Sequence, residues 1–258
     1  MQKRGQVTIF IVLGIVILVV IALLFTFRSE LIEQDFESEM NSIIVPHQLM
    51  PVKQYFDSCL DDVVNEGIMV LGEQGGYIEI PDDIAPRFDN NVYSNSLELY
   101  GDSEVAYWFY ESANGIEKEQ IPTKEDMELQ LEDYVSRNFD RCFYFVDNFE
   151  EEGFEIEVPT ADATVDVMIN RNEVQVKVLS DVLVSLKDVN KILDKHMIVV
   201  DSKLGELYEI ALKIMKEENK EMFLEEKTID MMVAYDAIPF STTEFTCERK
   251  LWQKGEVV

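Results

Sequence analysis

The stretch 164-TVDVMINRNEVQVKVL-179 decides how the rest of the chain is read. Val165, Val167 and Ile169 alternate with Thr164 and Asp166; Val174, Val176 and Val178 alternate with Gln175 and Lys177. A period of two is the pattern of a strand with one buried face. Asn170-Arg171-Asn172 lies between the two runs and is short enough for a hairpin turn. The centre of the protein is therefore antiparallel β. Asp181 to Leu186 either extends the second strand or starts another, and Lys191 to Val200 supplies a further one.

Upstream the period changes. Val52, Phe56, Cys59, Leu60, Val63, Gly67 and Val70 recur every three or four residues, which predicts a helix from Val52 to Leu71 with one apolar stripe. Asp57, Asp61, Asp62 and Glu66 lie off that stripe. Gly72 through Gly76, GEQGG, ends the helix; Gly72, Gly75 and Gly76 are read as a tight turn. Tyr77 to Ile80 reads as a short strand, Asp82 to Ser96 as a polar loop, and Ser103 to Glu111 as an aromatic strand. Ala113-Asn114-Gly115 marks a turn.

Pro122 and Thr123 start a helix predicted to reach Phe149, with Asp126 completing a capping box. Its stripe is Met127, Leu131, Val135, Phe139, Cys142 and Val146. Downstream, Ser202 to Lys216 and Leu224 to Tyr235 read as helices, and Ile238 to Cys247 as extended. Helices mixed with antiparallel strands, without a βαβ rhythm, make the class α+β.

The N-terminus reads differently. Val7 to Phe27 holds 21 residues without a charge, about 31 Å as a helix, enough to cross a bilayer. Lys3 and Arg4 precede it, so the N-terminus is expected in the cytoplasm and the rest outside. No small-x-small site follows the run, so it reads as an anchor and not as a removed signal. The expected organisation is a cytoplasmic N-terminus (1–6), a transmembrane helix (7–27), a stalk or linker (28–51), an acidic exposed domain (52–247) and a tail (248–258) that reads as the start of a further element.

The formal net charge is −29, from 22 bases and 51 acids. Lys3 and Arg4 are the only charges before Arg28, so residues 28–258 carry −31. That field repels nucleic acid and anionic lipid and favours cations or basic partners. The expected partners are the bilayer through residues 7–27 and a protein partner or a second copy.

Site chemistry is sparse. Cys59 and Cys142 sit on the stripes of two helices; outside the cell they form a disulfide, and otherwise they are small buried hydrophobes. Cys247 is left over. His47 and His196, the only histidines, lack the spacing of a zinc site. Acids at Asp57/Asp61/Asp62, Glu150 to Glu152 and Glu217/Glu218 lack the calcium-loop pattern and read as solvated faces. Tyr107-Trp108-Phe109-Tyr110 reads as a packed strand. GEQGG lacks a phosphate-loop spacing. No cofactor or metal is expected.

Lys3-Arg4-Gly5-Gln6, followed by the apolar run, resembles the class III, prepilin-type signal of archaeal pilin-like proteins. That resemblance implies cleavage between Gly5 and Gln6, with the helix kept; the fifth residue after the cut is Phe10, where familiar pilins have Glu. With Ser58-Cys59-Leu60 and Leu71 to Ile78, the chain is similar to uncharacterised archaeal membrane proteins, which implies an anchored, exposed domain. Three roles follow as expectations: a non-enzymatic surface or envelope protein, a pilin-like filament subunit, and a surface hydrolase using carboxylates.

Overall fold

The computed structural model describes residues 13–17, 36–81, 94–98, 104–112, 114–144, 146–159 and 163–234. Gly5, Gln6, Cys247, the segment 238–247 expected to be extended and the tail 248–258 lie outside them, as does most of the apolar run. Among the described residues no helix is long and apolar enough to cross a membrane. The chain divides into two compact units, Met1–Leu204 and Gly205–Val258.

The first unit mixes helices and antiparallel sheets, as the alternating and helical periods predict. Its elements are α1 (residues 36–42), a 3-10 turn His47–Leu49, α2 (Met50–Glu73), β1 (Ser96–Glu98), β2 (Glu104–Ala106), β3 (Phe109–Glu111) and β4 (Glu117–Glu119). Then come α3 (Lys124–Asn138), a 3-10 turn Phe139–Phe143, α4 (Asp147–Glu150), β5 (Phe154–Glu157), β6 (Thr164–Ile169), β7 (Glu173–Leu186) and β8 (Val189–Asp201). The helices α5 (Leu204–Glu221) and α6 (Phe223–Ala234) follow.

The main sheet is built on β7. The whole of β8 pairs antiparallel along one edge, from Leu186↔Val189 to Glu173↔Asp201. The other edge is shared end to end: β6 takes residues 174–179 and β5 takes residues 183–186. The quoted hairpin is β6–β7, in register from Ile169↔Val174 to Thr164↔Leu179. Asp181 to Leu186 continues β7 past an irregularity, where Leu179 to Val182 opposes only Lys195 to Leu193. An extra residue on one strand is a β-bulge.

On one face of the sheet α2 packs across β8 and α3, while α3 lies along β6. Phe56, Leu60, Val63 and Leu71 of α2 and Val174, Val176, Val178, Val182 and Val184 of β7 are buried. All six stripe residues from Met127 to Val146 are buried too. Each such side chain contributes roughly 1.5–3 kcal/mol by leaving water.

The structure corrects four expectations. Tyr77–Ile80 is not a strand: the Ile78 and Glu79 N–H groups both donate to Gln130 Oε1, at 2.9 and 3.0 Å, where a neighbouring strand would otherwise sit. Ser103–Glu111 is not one strand. It breaks at Tyr107-Trp108, so β2 pairs with β1 and β3 with β4; β1 begins where the expected polar loop ends, and β4 follows the Asn114 turn, where no strand was expected. The helix from Thr123 stops at Asn138 and tightens into the 3-10 turn. In that geometry positions i and i+3 eclipse, which keeps Phe139 and Cys142 on one buried face. Finally, the folded unit takes in residues assigned to the linker. Leu49 is wholly buried, and Glu39 binds Lys177 at 2.7 Å and Lys195 at 2.7 Å, one on each central strand.

Candidate functional site

Cys59, half-buried on α2, is bonded to the buried Cys142 of the Phe139–Phe143 turn, with Cα atoms 5.7 Å apart and a sequence separation of 83. The closed loop contains the second half of α2, both small hairpins and α3. The two helices approach closely there, since a Cβ on Gly67 would lie 2.5 Å from Leu131 Cδ1. Arg141 binds Glu66 across the same junction and holds that carboxyl below its usual range.

GEQGG closes the other end of α2. Gly76 N–H donates to Leu71 C=O at 2.7 Å, the six-to-one bond of a Schellman cap. Gly75 and Gly76 have φ of +72° and +91°, and a Cβ on Gly76 would meet Pro122 Cγ at 2.7 Å. Trp108 Nε1 donates to Gly75 C=O at 2.6 Å. Gly72 is different: it is still helical and faces open space, so it is not part of the turn.

The two long edges of the sheet differ. Along β6, Glu128 accepts from Ile169 N–H at 2.8 Å and Glu132 from Val167 N–H at 3.1 Å. Ser136 Oγ donates to Ala163 C=O at 2.8 Å. These three residues recur every four positions on α3, so one helix face takes the backbone bonds of a missing strand. Burial raises the Glu128 carboxyl, and the bond from Ile169 N–H partly opposes it. Sequence reasoning missed this pair; the signal was two acids one turn apart, beside the apolar stripe. Along β8, no strand pairs with the outer edge among the described residues.

The remaining candidates disperse. His47 is exposed and His196 wholly buried, so the two histidines form no joint site. Asp57 binds Lys53 at 2.5 Å, Asp61 accepts from Asn65, and Glu150 to Glu152 are exposed. Glu218 accepts from Leu224 N–H and raises the Glu225 carboxyl. Tyr107 and Phe109 are partly exposed, whereas Tyr110 is buried. Among the described residues no three His, Cys, Asp or Glu side chains gather to hold a metal ion. In comparisons with known proteins, no family model, curated protein or solved structure matched the chain.

Proposed function

We propose that this protein is a single-pass membrane protein, anchored by residues 7–27, that holds an acidic α+β domain outside the membrane for binding or structural contact. The observation that carries the reading is the Cys59–Cys142 bridge in a chain that also holds a 21-residue uncharged run. Disulfides persist in oxidising compartments, and an uncharged run of that length suits a bilayer. Leu13, Ile15, Val16 and Ile17 of the run are helical and more than half exposed, an apolar surface that suits lipid. Contact fits better than hydrolysis. The acids with described partners hold structure: Glu39 binds two lysines, Glu66 an arginine, and Glu128 and Glu132 the edge of β6. The net charge favours a cationic partner.

Protease added to intact cells expressing the chain tests the topology. Loss of peptides from residues 36–204 without lysis is expected; their protection until the cells are broken would overturn the reading. Lys3-Arg4-Gly5-Gln6 favours a second reading, a pilin-like subunit cut after Gly5. The intact mass of the membrane-extracted chain separates the two, since only the second loses Met1 to Gly5.

A further inference from the structure

We propose that His196 is an acid-sensitive lock between α2 and the sheet: protonating its imidazole releases α2 from β8, while the Cys59–Cys142 bridge keeps the helix tethered. His196 lies on β8 opposite Val178 and is wholly buried. Its ring centroid is 5.6 Å from that of Phe56 on α2 and 5.5 Å from that of Phe139. Neither ring nitrogen makes a hydrogen bond of good geometry, and only the backbone of Ser180 and of Leu193 comes near enough to act on the ring. The ring therefore packs as an aromatic wedge where helix and sheet meet, and it is the one member of that cluster able to acquire a charge near neutral pH.

Burial outweighs what the site offers a cation, which is the Asp57 carboxylate and the backbone of Ser180 and Leu193. The charged groups acting on the ring are Asp57 and Lys53 of α2, and they bind each other at 2.5 Å. Beside the ring, β7 presents Ser180 at the bulge and the 139–143 turn presents Phe139, neither of them charged. Burial, the largest influence, holds the His196 pKa below its ordinary 6.5; Asp57 and the backbone of Ser180 and Leu193 oppose that shift, and Lys53 adds to it. The sign follows. A base whose pKa is lowered by folding binds more protons when unfolded, so stability rises with pH. The contribution is complete above 6.5 and is lost as pH falls toward the lowered folded value. For one imidazole the closed-to-open ratio drops by up to about eightfold between pH 7.0 and 5.5, the limit being a ring that stays neutral in the fold throughout.

Hydrogen exchange on the full-length chain in detergent, corrected for intrinsic rates, reads this directly. Between pH 7.0 and 5.5 the amides of α2 and β8 are expected to open more, by up to about eightfold, and together. His196→Gln and His196→Leu should flatten that dependence. Equal pH dependence in the wild type and a folded variant would overturn the lock, as would acid opening that spares α2 and β8. Should neither variant fold, the imidazole titration of the wild type by NMR decides. A His196 pKa clearly below 6.5 supports the lock, and one at or above 6.5 overturns it.

Discussion

The two edges of the main sheet meet one physical problem in opposite ways. An edge strand leaves N–H and C=O groups without partners, and those groups invite another chain. At β6, α3 lies alongside and Glu128, Glu132 and Ser136 take the bonds a further strand would make. At β8, thirteen residues long, no strand answers among the described residues, and the edge carries Lys191, Asp194 and Lys195 instead. A helix can close an edge only when something holds it in register. Here three devices do so: the Thr123 capping box at the start of α3, Gly76 packed on Pro122 and Met127, and the disulfide just past its end. Charges alone protect an edge only from unwanted partners.

The largest effect should come from freeing the end of α3. Cys59→Ser with Cys142→Ser removes the closure of an 83-residue loop, worth roughly 4 kcal/mol in the chain-entropy account. Denaturant unfolding reads it, and a loss under 1 kcal/mol would mean that the bridge does not hold α3. Next is Glu128→Ala, which strands the Ile169 N–H and should cost about 2 kcal/mol. Glu128→Gln keeps an acceptor and should be close to neutral at pH 7. Because the folded carboxyl is raised, the wild type loses stability as pH rises from the ordinary 4.5 to the raised value. The Gln variant should lack that slope.

How far these features were legible depends on how each is encoded. The β6–β7 hairpin and the Met127 to Val146 stripe show in the order of apolar residues, because burial on one face imposes a period. The Thr123 cap and the Cys59/Cys142 pairing were legible for a similar reason, since each needs particular residue types at a fixed place. The strands β1 to β4 are three residues each, too short to carry a period. Tyr77–Ile80 has a strand's composition, yet Gln130, 52 residues beyond Ile78, takes the donors of Ile78 and Glu79. Glu128 and Glu132 were hidden by abundance: with 51 acids, no acid stands out until its partner is known.

Two smaller effects sharpen the contrast between the edges. Thr123→Ala removes the acceptor for Asp126 N–H and should cost about 1 kcal/mol, measured by thermal unfolding. A cost near zero would show that packing alone positions α3. Lys191→Thr with Asp194→Thr should change stability by less than about 0.5 kcal/mol but increase self-association in sedimentation. Asp166→Thr, on the closed β6 edge, should not. Equal association from both edges would remove the distinction between them.

The most direct test of the account is a peptide map of the chain taken from the membrane fraction, with free thiols trapped at harvest. The account predicts Cys59 and Cys142 in one cross-linked peptide pair that separates on reduction. Both thiols found alkylated, or a chain recovered from the soluble fraction, would contradict an anchored domain held outside the membrane.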